Sequence, residues 1–245
     1  MTKEEMAARM DEIAMGLDDT FQFHCTQCGK CCIDREDILL TPRDIYKICG
    51  YLKIKPLEMY KTYCESYIGD SSRIPVVRLK PQGNAKRCVF LKNRKCEVHA
   101  VKPSVCALYP LGRFMQVDTE AFNRGELGDA TVQYLIQDDV NCGDKSETHT
   151  VREWLSGFDI LREDAAFLAW NLVLAKVLPR VKELEPQLGP LSRMLLWDSL
   201  LVSLYLKYDT NKEYLPQLEA NAKDISDLLD QVETTIREAQ NGKES

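Results

Sequence analysis

The sequence predicts an α+β fold, predominantly helical, with a small irregular cysteine-rich core and a short β-hairpin, flanked by N-terminal and C-terminal helices. Three observations carry that prediction. Four cysteines crowd into CTQCGKCC, Cys25 to Cys32. Short β-rich runs separated by turn residues fill the middle of the chain. Beyond about residue 150, apolar residues recur at helical spacing almost without interruption. The 245 residues therefore divide into an N-terminal helix over 1–20, a cysteine-cluster domain over 21–150 and a helical region over 151–240 packed on the same core.

The elements follow in order. MTKEEMAARMDEIAMGL at the N-terminus is charged and amphipathic and predicts a helix over residues 1–18. The cysteine loop follows, with Gly29 permitting a tight backbone path. LLTPRDIYKICGYL carries a helix start, with Thr41 as N-cap and Pro42 at the first helical position. Ile45, Ile48 and Cys49 then share one face, and Gly50 is the expected C-cap. A second helix is expected from Pro56 to near Gly69. IPVVRL reads as a strand, and CVFLKNRKCEVH as a hairpin turning near Asn93-Arg94. GRFMQVD and TVQYLIQ predict two further short strands. Three helices close the chain: Val151–Leu184, broken near Pro179; Gly189–Tyr208; and Glu213–Gln240. The last carries an apolar stripe of Ile225, Leu228, Leu229, Val232 and Ile236, expected to pack on the domain's own core.

Composition narrows the class. Hydrophobic residues make up 44% and charged residues 29%, ordinary for a globular protein. The N-terminal stretch lacks the continuous apolar core of a secretory signal. The longest apolar runs, Ala165–Leu178 and Met194–Leu206, are interrupted by Asn171, Lys176 and Asp198 and fall short of the ~20 residues of a membrane helix. These features predict a cytoplasmic protein with no membrane association. In a reducing compartment, clustered cysteines favour metal binding over disulfides. Charge is unevenly spread: residues 21–113 carry 17 Lys and Arg against 8 Asp and Glu, within a chain of net charge −6. Cations that offset metal-bound thiolates explain this most simply. The basic 73–102 stretch is also a candidate docking face for an acidic protein partner. Nucleic acid is disfavoured, because no aromatic–basic motif accompanies the charge.

The cysteines carry the chemistry. The two-residue spacers of Cys25, Cys28 and Cys31 let thiolates point into one concave site, a spacing used for both zinc and iron–sulfur clusters. Cys31 and Cys32 are adjacent, and on an extended backbone their side chains point to opposite sides. Either each serves a different site, or one ligates and the other only supports it. Downstream, Cys88, Cys96 and Cys106 form a second group, with the hairpin bringing Cys88 towards Cys96. Cys142, before Gly143, is a further candidate. These eight could fill two four-ligand sites, or one site with supporting thiols. Cys49 and Cys64 fall on apolar faces of predicted helices and are assigned to the core. His24 and His99 are weaker candidate ligands, and His149 is given no role. A catalytic thiol is disfavoured, because no Cys/His/Asn arrangement is discernible.

These residues together resemble the YkgJ-type cysteine-cluster family, whose members carry a CxxCxxCC domain described as zinc- or iron-chelating. Cys25, Cys28, Cys31 and Cys32 match the four-cysteine nest. Cys88, Phe90 and Leu91 match the second element, and Cys96, Val98, His99, Lys102, Pro103, Cys106, Tyr109 and Pro110 the third. The match covers residues 22–113, with one departure: Ala107 stands where the family commonly has Arg. The resemblance implies a bacterial metal-binding protein. Iron–sulfur, as [4Fe–4S], is preferred here because compact CxxCxxC runs are common in such proteins; zinc is the alternative. The related flagellin lysine N-methylases share the cysteine pattern, and through them a cluster-dependent methylase-like activity is implied as a further alternative.

Overall fold

The computed structural model describes residues 13–137 and 140–241. It is α+β, with helices and short antiparallel strand pairs. The expected N-terminal helix falls mainly on residues 1–12, outside the described residues. From Ala14 to Asp19 the chain is not helical: Met15 forms a bridge with Tyr134, and a turn follows at Leu17 and Asp18. That pairing holds the backbone extended where the sequence suggested a continuing helix.

Strand β1 (Thr20–His24) leads into the cysteine loop. Helix α1 (Pro42–Leu52) begins as expected, with Thr41 and Asp44 in a reciprocal capping box. It runs past Gly50 and ends at Lys53, whose φ of 57° is left-handed. The half-buried Leu52 packs on the core and makes the extra turn worthwhile. Helix α2 (Pro56–Tyr63) stops short of Gly69, because Cys64–Ile68 becomes strand β2 and pairs with β3 (Pro75–Leu79). The expected single hairpin is two small ladders: β4 (Pro81–Gln82) with β5 (Arg87–Cys88), and β6 (Leu91–Lys92) with β7 (Lys95–Cys96). Asn93 and Arg94 turn the second with φ of 50° and 65°, both left-handed. Next come helix α3 (Ser104–Leu108), strand β8 (Leu111–Gln116), helix α4 (Thr119–Asn123) and strand β9 (Thr131–Ile136). β9 pairs with β8 as the sequence suggested. Strand β10 (Asp144–Thr150) returns to β1, about 120 residues earlier in the chain.

The C-terminal half is helical: α5 (Val151–Ser156), α6 (Ile160–Leu184), α7 (Pro190–Leu201), which continues as a wider π turn over Val202–Leu206, and α8 (Tyr214–Asn241). The break expected at Pro179 lies instead between α5 and α6, where Asp159 adopts a φ of 59°. Helix α6 runs through Pro179 because Val177, Val181 and Leu184 on either side are buried. Their packing outweighs the one backbone hydrogen bond that proline removes.

Two hydrophobic clusters form. The larger joins α1, α2, β3 and the hairpin region to α6, α7 and α8, and takes in the Ile225, Leu228, Leu229, Val232 and Ile236 stripe. The smaller gathers Phe21 and Phe23 of β1 with Leu111, Tyr134, Trp154 and Ile160. The cysteine loop lies between the two. Glu185, almost fully buried, is held by Arg73 at 3.0 Å and Arg193 at 2.9 Å, fastening the end of α6 to the β2–β3 turn. No helix among the described residues is long and apolar enough to cross a membrane.

Candidate metal centre

The cysteine loop is shaped by two glycines. Gly29 has a φ of 74°, and a Cβ there would stand 3.2 Å from both the Arg94 carbonyl and the Leu91 side chain. Its absence lets the loop press against the β6–β7 turn. Residues Lys30–Cys32 then form one 3₁₀ turn, with Cys32 N–H donating to the Gly29 carbonyl. Three residues per turn separate neighbouring side chains by about 120°. The doublet therefore diverges as a turn rather than as the extended backbone expected from sequence. At the far end, Gly143 has a φ of 73°, and a Cβ there would fall 2.5 Å from the His24 carbonyl and 2.6 Å from the Phe23 ring. Only glycine allows Cys142 to be seated so close to β1.

Six of the eight predicted thiols, those of Cys25, Cys31, Cys32, Cys88, Cys96 and Cys106, line one cavity of about 70 Å³. That is far below the ~300–1,000 Å³ of an organic-ligand pocket. Cys28 and Cys142 are not in its lining: the Cys142 thiol is hydrogen-bonded to that of Cys31, and Cys28 accepts from the Gly143 backbone N–H. Cys31 Sγ and Cys32 Sγ stand 3.9 Å apart. All ten cysteines are free thiols. Among the described residues, no three or more His, Cys, Asp or Glu side chains are already drawn together at metal-ligand spacing.

The backbone is arranged for sulfur. Cys28 accepts from the Lys30 N–H, Cys88 from the Phe90 N–H and Cys96 from the Val98 N–H. Each is the same step, from a thiol to the amide two residues on, and such donors favour the thiolate. At Cys28 this amide holds the thiol below its ordinary pKa. Elsewhere the surroundings win in the metal-free protein. Burial raises Cys88, Cys96 and Cys106, and raises Cys142 to about 11. Cys31 is pushed well up, first by its hydrogen bond with Cys32 and then by burial. Arg35, which donates to the Cys31 carbonyl at 3.1 Å, and Lys102 both lie near Cys106 and oppose its upward shift. The donor set is thiols preset with N–H donors and flanked by cations, and it fits a soft metal or an iron–sulfur cluster.

Asp44 holds this arrangement to the helical scaffold. One carboxylate oxygen caps α1 through Thr41; the other accepts from Ser104 N–H at 2.8 Å and from Ser104 Oγ at 2.7 Å. Ser104 opens α3, which carries Cys106. Tyr109 does comparable work at Cys142, with its hydroxyl hydrogen-bonded to the thiol and accepting from Asn141 N–H. Sequence reasoning missed Arg35 and Asp44. The only signals were a cation soon after the cysteine doublet and an N3 acid in a capping box.

The histidines divide. His99 lines the cavity, packs near Phe158 and has its pKa lowered by burial. His24 turns away to β10, with Nδ1 3.0 Å from Ser146 Oγ and Nε2 3.8 Å from Glu147. His149 lies 3.3 Å from the same carboxylate and packs on Trp154. Cys49 and Cys64 are buried in the larger core, as expected, although Cys64 opens β2 rather than lying on a helix. Within the basic stretch, Lys92 pairs with Glu97 and Lys86 with Glu36.

Comparison with known proteins agrees with the geometry. A protein of Methanocaldococcus jannaschii described as uncharacterized is 37% identical over 93 residues, covering 36% of this chain and 44% of the relative. This chain thus spans less than half of that relative's length. No solved structure matches. Residues 24–142, which hold all eight predicted ligands, match the CxxCxxCC family, described as a "putative zinc- or iron-chelating domain".

Proposed function

We propose that the chain is a metal-binding protein whose clustered cysteines hold iron–sulfur, with the ligands drawn from Cys25, Cys28, Cys31, Cys32, Cys88, Cys96, Cys106 and Cys142. The observation that carries this reading is the thiol-lined cavity of about 70 Å³ with backbone N–H donors already aimed at its sulfurs. A zinc ion would hold four of the thiols at about 2.3 Å; a cluster, which would bring its own iron and sulfide, is favoured by the compact CxxCxxC run and by the six thiols that line the cavity. The cluster supplies one-electron redox chemistry or a structural clamp. The protein's part is to deprotonate the thiols, offset their charge with Arg35 and Lys102, and keep water away with Phe90 and Val98.

Anaerobic purification followed by visible absorption and by iron, sulfide and zinc analysis tests the reading. A brown protein with matched iron and sulfide supports it. A colourless protein with stoichiometric zinc and no iron overturns the iron–sulfur assignment and leaves the zinc alternative.

A further inference from the structure

We infer that the eight cysteines form two metal centres rather than one, and that the Cys31-Cys32 doublet is the boundary between them. The inference rests on the metal-binding reading but not on which metal is bound.

Packing divides the thiols four and four. Cys32, Cys88, Cys96 and Cys106 belong to the larger core; Cys25, Cys28, Cys31 and Cys142 pack with the smaller one. The two sets come from different parts of the chain. The first unites the doublet's second cysteine with the two ladders and α3. The second unites the rest of the loop with the segment before β10, seated against β1 by Gly143. Local contacts agree within the second set: Cys28 accepts from the Gly143 N–H, and Cys31 is hydrogen-bonded to Cys142. In the first set, Cys32, Cys88, Cys96 and Cys106 all line the central cavity.

The doublet's geometry explains how one loop feeds both. A 3₁₀ turn splays consecutive side chains by about 120°, so Cys32 packs against the larger core and Cys31 against the smaller, while both thiols still line the cavity between them. Their sulfurs remain 3.9 Å apart. The two centres therefore adjoin at the doublet, each taking one of these two sulfurs. Cys31 lines the same cavity as Cys88, Cys96 and Cys106, so the two centres lie side by side. Each ligand surrenders its thiol proton to solvent as the metal binds.

The test is metal stoichiometry on the full chain purified anaerobically. Metal per chain is measured for the unchanged protein, for Cys106→Ser and Cys142→Ser, and for the pair combined. The expected result is a twofold loss in each single variant and near-complete loss in the double. Native mass spectrometry of the unchanged protein gives an independent count of two centres and needs no variant to fold. A single centre by mass overturns the inference, as does complete metal loss in both single variants or unchanged metal in either. If the unchanged chain carries no metal at all, the metal-binding reading fails first and the partition with it.

Discussion

Asp44→Ala tests whether the ligand region is fastened to the helices through one buried carboxylate. Asp44 is 2% exposed and is the acceptor for four donors, two from Thr41 and two from Ser104. Alanine removes the capping box of α1, worth about 1 kcal/mol. It also strands the Ser104 amide at the start of α3, and an unsatisfied buried donor costs about 1–3 kcal/mol. The combined expectation is a loss of about 3 kcal/mol. For a chain of this size that lowers Tm by roughly 6–12 °C. Asp44→Asn keeps one acceptor oxygen and is expected to lose about half as much. Urea unfolding followed by circular dichroism measures both. A loss below about 1 kcal/mol for the alanine variant, with an unchanged denaturant slope, refutes the clamp. Equal losses for the two variants refute the reasoning that the two oxygens serve separate partners.

Further expectations follow from other buried groups. Gly143→Ala combines a left-handed φ with a 2.5 Å approach to the His24 carbonyl; it should lower Tm and reduce metal content together, both measured on the same preparation. Burial raises Cys49 and Cys64 to about 12 from an ordinary 9.0. The folded state therefore binds these protons more tightly than the unfolded chain, and the stability they contribute is complete below pH 9 and lost as pH climbs from 9 towards 12. Each contributes a slope of up to about 1.4 kcal/mol per pH unit, so replacing both with alanine should flatten the alkaline limb of a urea-midpoint-versus-pH plot. An unchanged limb would show that other groups govern it. Glu185→Ala removes the carboxylate shared by Arg73 and Arg193, which are 37% and 33% exposed. Water can reach both guanidinium groups, so the cost is put at about 2 kcal/mol rather than the 3–5 of a fully buried pair.

Periodic and strongly signalled elements were legible in the sequence. The start of α1 was announced by Thr41 and Pro42, β8 and β9 by their β-rich runs, and α8 by an apolar stripe that does pack on the core. The misplacements share a cause, which is that tertiary partners decide where an element ends. Cys64–Ile68 left the helix for a ladder with Pro75–Leu79, and α6 passed through Pro179 because the residues around it were buried. No local pattern contains that information.

The candidate thiols were legible because metal chemistry constrains residue type and spacing so tightly. Their grouping was not. Adjacent cysteines in a sequence say nothing about which core each faces until the backbone between Gly29 and Ile33 is known, and here a left-handed glycine followed by a single 3₁₀ turn sets it. Gly29 brings the loop onto the β6–β7 turn, Gly143 brings Cys142 onto β1, and the doublet lies between these two approaches. Replacing Cys31 or Cys32 singly should therefore not be equivalent. Cys32→Ser should release metal held with Cys88, Cys96 and Cys106, and Cys31→Ser metal held with Cys25, Cys28 and Cys142. If the two variants instead lose the same metal to the same extent, the doublet acts as one donor pair and the two cores share a single centre.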